Sequence, residues 1–155
     1  MGAYKMDGDS YVAEHFRLAE FANTRATEPV KFAAGPLFPV LLEALEYLRE
    51  RMAQLKTSPK INITSGYRTA SFNASVGGSP NSEHLDAHAA DVELSQEGIP
   101  AAYQPAAELI WRDAAKIYGF IGTFGYYDTH THLGVDGGRN GRTEFYVYDK
   151  RKGTK

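Results

Sequence analysis

The stretch Ser65–Asp91, SGYRTASFNASVGGSPNSEHLDAHAAD, constrains this chain more than any other. It is rich in Gly, Ser, Asn, His and Asp and poor in long aliphatic residues, so burial of its own side chains cannot hold it in one shape. Its polar side chains offer another means. His84 and Asp91 can both ligate a metal, and His130-Thr131-His132 further on offers a third donor. Two imidazoles and a carboxylate around Zn2+, with one position left for water, is the arrangement of a hydrolytic site. A structural zinc site is more often closed by four protein ligands, usually cysteines, and the chain has none.

The 155 residues suffice for one domain with a proper core and are short for two. The expectation is a single domain over 1–155 with its core at about 11–149, loose at both ends, working as a monomer. A hydrophobic fraction of 43% argues against global disorder, and a net charge of −2 gives no case for nucleic acid or an anionic membrane as partner. Without cysteine there are no disulfides, thiolate sites or cysteine nucleophiles. The N-terminus MGAYKMDGDSYVAEHF lacks an apolar run of signal-peptide length, and no stretch is apolar enough to span a bilayer.

Residues 1–10 read as a loosely held end, and Asn23–Pro29 as a loop. Between them His15–Phe21 places Phe16 and Phe21 on a short segment expected to pack on the core, with His15 structural. A helix is expected from about Pro36 to Lys56, started by Gly35-Pro36, because Leu37, Leu41, Leu45, Leu48, Met52 and Leu55 recur at spacings of four and three. Lys60–Ser65 alternates like a half-buried strand, and Ala89–Leu94 reads as a second strand carrying Asp91. Gly66–Ala90 between them shows neither periodicity, and a connection of that length in a compact domain points to function. A second helix is expected at about Pro105–Tyr118, burying Ala106, Leu109, Ile110, Ala114 and Ile117 and stopped by Gly119. The strands Ile121–Tyr127, Thr131–Val135 and Thr143–Tyr148 follow, with Asp136–Gly141 as a hairpin loop between the last two. The fold class is therefore α+β: two main helices on a small, mostly antiparallel sheet that carries the site.

Residues two apart on a strand share a face, so His130 and His132 can both face one metal, one binding and the other acting on water or substrate. His84 and Asp91 lie seven residues apart and meet only if a loop folds back into a strand. A non-haem iron site also uses two histidines and a carboxylate, but with its first pair much closer in sequence, which favours zinc.

Ser65-Gly66-Tyr67-Arg68, Asn73, Val76-Gly77-Gly78, Ser82-x-His84 and Ala89-Ala90-Asp91 together resemble the signature of the zinc D-Ala-D-Ala carboxypeptidase family, which includes related peptidoglycan endopeptidases. The opening His15-Phe16-x-Leu18-x-Glu20-Phe21 is similar too, so the resemblance runs from about Phe16 to Arg139. It implies a hedgehog/D-Ala-D-Ala peptidase-like fold and one zinc ion held by His84, Asp91 and His132. Arg68 matches the arginine that holds the substrate carboxylate or the oxyanion, and Ser82 a residue near the substrate. Gly77 and Gly78 have a structural role, permitting backbone conformations closed to other residues.

Two departures stand out. Ala87 replaces the family's glycine, for which a modest backbone adjustment is expected. Where many members carry an acidic base, three residues before the last zinc histidine, this chain has Thr129. The base then lies between Asp128 and His130, and His130 is favoured because it shares a strand face with His132. His88, next to the ligand loop, is expected to face solvent, with support of the ligands from behind as the alternative.

The resemblance implies hydrolysis of amide bonds next to D-amino acids in peptidoglycan stem peptides or cross-links, by a phage-delivered or otherwise exported protein. One alternative is an L-Ala-D-Glu peptidase of endolysin type. Another, from a different class, is a non-catalytic zinc module that binds cell wall or protein, favoured if no base reaches the metal's water.

Overall fold

A computed structural model describes residues 11–21, 34–55, 61–94 and 99–152. The expectations for residues 1–10 and Asn23–Pro29 lie outside them. Strands β1 (Tyr11–Ala13) and β2 (Phe16–Arg17) form a small antiparallel ribbon, followed by the single turn α1 (Leu18–Phe21). Phe16 and Phe21 are both buried, their rings edge to face at 5.9 Å, and Phe21 meets Phe38 in the same way at 5.2 Å. This segment therefore packs on the core as its two aromatics require. His15 sits at the surface, bonded to Glu46.

Helix α2 spans Phe38–Gln54. It begins after Gly35-Pro36, with Pro39 rather than Pro36 in the first turn. Leu41, Leu45, Leu48 and Met52 are fully buried, and each buried side chain of this size contributes about 1.5–3 kcal/mol. Leu55 lies beyond the last turn and is exposed.

The central sheet has five strands in the order β3 (Ile63–Ser65), β4 (Ala89–Glu93), β6 (His130–Gly134), β5 (Thr123–Tyr126) and β7 (Tyr146–Asp149). All pairings are antiparallel except β5 with β7. The fold is α+β with a mixed, mostly antiparallel sheet, in agreement with the sequence. The hairpin expected at Asp136–Gly141 does not form. Gly137–Asn140 is a 3-10 turn, and the chain crosses β5 before pairing, so β6 and β7 are not neighbours.

Helix α4 (Gln104–Tyr118) ends at Gly119, whose φ of 72° is the left-handed stop that glycine supplies. Its buried face differs from the expected one. Ala107, Trp111, Ala114 and Ala115 point inward, while Leu109 and Ile117 are 64% and 57% exposed. The indole decides the rotation: Trp111 has the largest apolar surface to bury, and its Nε1 donates to the Gly134 carbonyl at 3.0 Å.

Strand alternation sorts the sheet into two faces. Ala90, Val92, Phe124 and Leu133 belong to the apolar core with α2 and α4. Asp91, Gly125 and His132 alternate with them and so face the other way. No helix among the described residues is long and apolar enough to cross a membrane.

Candidate metal centre

The connection between β3 and β4 is more ordered than its composition suggests. Helix α3 (Ala70–Ser75) is capped by Thr69, whose Oγ1 accepts from Phe72 N at 3.1 Å. A 3-10 turn at Glu83–Asp86 is capped by Ser82, whose Oγ accepts from His84 N at 3.1 Å. Short side-chain caps, invisible to helical periodicity, build both turns. Gly77 adopts φ 73°, whereas Gly78 has no room for a Cβ beside Asn73. Ala87 closes the 3-10 turn at φ 57°, ψ 35°, the left-handed conformation that glycine adopts at less cost.

This turn delivers His84 to the sheet. Its Nδ1 lies 2.7 Å from the Gly66 carbonyl, and Arg68 N donates to the His84 carbonyl at 2.9 Å. A carbonyl only accepts, so Nδ1 carries the proton and Nε2 keeps its lone pair. That Nε2 is buried, 3.3 Å from Asp91 Oδ1, and has no hydrogen-bond partner among the described residues.

Asp91 and His132 come from the centres of β4 and β6, where they are paired in register. His132 Nδ1 lies 3.1 Å from Asp91 Oδ1. Donor atoms of His84, Asp91 and His132 all lie within 4.8 Å of one another, and all three residues are buried. The distant stretches that carry these side chains do converge. An orphaned buried imidazole nitrogen, a second imidazole and a carboxylate fit one Zn2+ ion.

Burial works to raise the Asp91 carboxyl, but the two imidazoles outweigh it and hold the group well below the usual carboxylate range. Burial likewise works to lower His132, yet Asp91 and Glu83 raise it to about 9. Glu83 was not singled out in the sequence. Its Oε2 lies 3.2 Å from His132 Nε2 and accepts from Thr123 Oγ1 at 2.7 Å, while its Oε1 accepts from Asp136 N at 2.7 Å. A carboxylate behind the far nitrogen of a ligating histidine fixes the ring and raises its basicity. Gly134 makes this possible, since a Cβ there would overlap the Glu83 carboxylate. The only sequence signal for Glu83 was an acid between Ser82 and His84.

Arg68 uses three of its five N–H groups on the protein. It bonds Ser65 Oγ at 3.1 Å, Asn73 Oδ1 at 3.1 Å and Asp91 Oδ2 at 3.3 Å. The guanidinium is thereby held beside the donor cluster with two donors left over. With Asp91, Glu93, Thr129 and His130 it lines a cavity of about 380 Å³. His130 points its Nε2 to within 3.8 Å of Asp91 Oδ2, its Nδ1 is 3.0 Å from Thr129 Oγ1, and its ring stacks on Tyr127 at 4.1 Å. Burial lowers its pKa, which keeps the ring neutral.

Asp128, the other candidate base, is exposed, and its Oδ2 accepts from Lys152 N at 3.0 Å. It does not line the cavity that His130 lines. Ser82 borders a second cavity of about 390 Å³ beside His132, although its hydroxyl is engaged as a cap. His88 does not face solvent. It is buried, with Nδ1 2.9 Å from Asp136 Oδ2 and Nε2 accepting from Leu37 N at 3.0 Å, so it ties α2 to the sheet.

A family model for peptidase M15 matches residues 14–134, a span that contains all three donors. The chain is also similar to the zinc D-Ala-D-Ala carboxypeptidase of Streptomyces albus G, 32% identical over 83 residues, which are 51% of this chain. The match spans 29% of that relative's length. Zinc is the ion that the family and the donor set together imply. On the matched span and the donors within it, the chain belongs to the peptidase M15 family.

Proposed function

We propose that the protein is a single-domain, monomeric zinc peptidase that hydrolyses amide bonds next to D-amino acids in peptidoglycan stem peptides or cross-links. The observation that carries the reading is the buried Nε2 of His84, without a hydrogen-bond partner among the described residues and facing Asp91 and His132, with a candidate base beside them. Zinc held by these three residues is a Lewis acid that lowers the pKa of a water and polarises a carbonyl.

The chain's own groups then divide the work. His130, neutral and aimed by Thr129 and Tyr127, takes a proton from the attacking water at Nε2. The water oxygen bonds to the amide carbon, and the carbonyl electron pair moves onto oxygen. The spare N–H groups of Arg68 face that anion or a substrate carboxylate, and the bonds to Ser65, Asn73 and Asp91 prevent the guanidinium from turning away. His130 returns its proton to the amine nitrogen as the C–N bond breaks. The reach of His130 favours hydrolysis over a non-catalytic binding module.

Digestion of purified sacculi, with new termini identified by mass spectrometry, tests the proposal. Released D-Ala or opened D,D cross-links, abolished by a chelator and restored by zinc, is the expected result. New D-Glu amino termini would transfer the protein to the L-Ala-D-Glu endolysin type, and undiminished activity without metal would end the metallopeptidase reading.

A further inference from the structure

One cross-strand row contains more than the metal donors. Ser65 pairs with Asp91, Asp91 with His132, His132 with Gly125, and Gly125 with Tyr148. Directly opposed residues share a face, so all five belong to the face that carries the site. Gly125 has no side chain, and Tyr148 lies across the space this leaves. A Cβ at Gly125 would come within 2.5 Å of Tyr148 Cζ and 2.6 Å of its hydroxyl oxygen. The phenol is thereby laid along the sheet toward His132, their ring centres 5.9 Å apart.

The hydroxyl is also oriented. Tyr127, whose ring stacks on His130, donates its own hydroxyl to that of Tyr148 at 3.3 Å. Tyr148 thus accepts one bond, and its proton remains for another acceptor. Tyr148 and His132 both line the 390 Å³ cavity, so open space for a substrate borders the phenol. Arg68 reaches Asp91 from the Ser65 end of the row, and Tyr148 approaches His132 from the other.

Resting on the hydrolase reading above, we infer that the Tyr148 hydroxyl donates a hydrogen bond to the scissile carbonyl oxygen as it becomes an anion, opposite Arg68. A fixed, neutral donor aimed where charge develops stabilises the transition state more than the bound substrate. Tyr148 is then a catalytic residue, and Tyr127, which acts through it, a positioning residue. Neither is among the residues through which the sequence resembles its family.

The test uses the zinc-loaded full chain and Tyr148→Phe, which keeps the ring over Gly125 and removes only the hydroxyl. On a peptidoglycan peptide, kcat should fall about 10²-fold while KM stays within about twofold. Calorimetric titration with a phosphinate dipeptide, whose tetrahedral oxygens mimic the anion, should show a similar loss of affinity, with zinc content and melting temperature unchanged. Tyr127→Phe should lower kcat severalfold and leave KM alone. Wild-type kcat and wild-type phosphinate affinity in Tyr148→Phe overturn the inference. If the wild type itself cleaves no peptide, the hydrolase reading falls. The phosphinate titration then judges Tyr148 alone, and equal affinities count against it.

Discussion

On its helix-backed face the central sheet presents Ala90, Val92, Phe124 and Leu133; on the other it presents Asp91, Gly125, His132 and Tyr148. Apart from Tyr148 on β7, both sets come from the same strands and the same period of two, yet they are held by different means. The first is held by burial against α2 and α4, which is non-directional and tolerant of which apolar residue does the burying. The second, together with Glu83 and His84 from the 3-10 turn beside it, keeps two carboxylates and two imidazoles out of water, each satisfied by a specific partner among the described residues except the Nε2 of His84. The difference teaches that the scaffold stabilises the protein, whereas the site depends on it and is completed only by a cation.

The comparison breaks most visibly in the core. Phe124→Ala should cost about 3–5 kcal/mol of stability in urea titrations while the folded fraction still binds zinc. Loss of zinc with little loss of stability would mean that the two faces are not separable. Metal removal attacks the other face. Zinc at about a hundred times its dissociation constant should raise the unfolding free energy by about 2.7 kcal/mol, and a chelator should remove that gain. Equal stability with and without zinc would show that no cation completes the cluster.

Two smaller changes sharpen it. Glu83→Gln keeps the shape behind His132 but removes the charge, and should weaken zinc about 10–100-fold in chelator competition. A larger effect on melting than on zinc would assign Glu83 to the scaffold. Ala87→Gly relieves the left-handed backbone but loses a buried methyl and frees the unfolded chain, so stability should change by less than about 1 kcal/mol with zinc affinity intact.

How much was legible in the sequence follows the same division. The α2 face was readable because Leu41, Leu45, Leu48 and Met52 repeat with the helical period and the larger Phe38 is buried with them in the same core. On α4 the aliphatic residues Leu109 and Ile117 misled, because one indole with a buried N–H bond outweighs them in fixing the rotation. The donor set was readable because His84, Asp91 and the His-x-His pair stand in a gapped motif that resembles the family's, which singles out His132 of the pair, and the structure brings His84, Asp91 and His132 together. The residues around it were not. Glu83 acts through a bond to a residue 49 positions away, and His88 through bonds to Leu37 and Asp136, pairings that only the tertiary fold creates. Tyr148 depends on a parallel pairing of β7 with β5, where the turn-rich Asp136–Gly141 argued for a hairpin.

Diffraction from zinc-soaked crystals at the zinc absorption edge tests the central claim most directly. The expected result is one anomalous peak per chain, within bonding distance of His84 Nε2, His132 Nδ1 and an Asp91 oxygen, with a solvent-accessible fourth position. A peak elsewhere, or one closed by a fourth protein ligand, would contradict it.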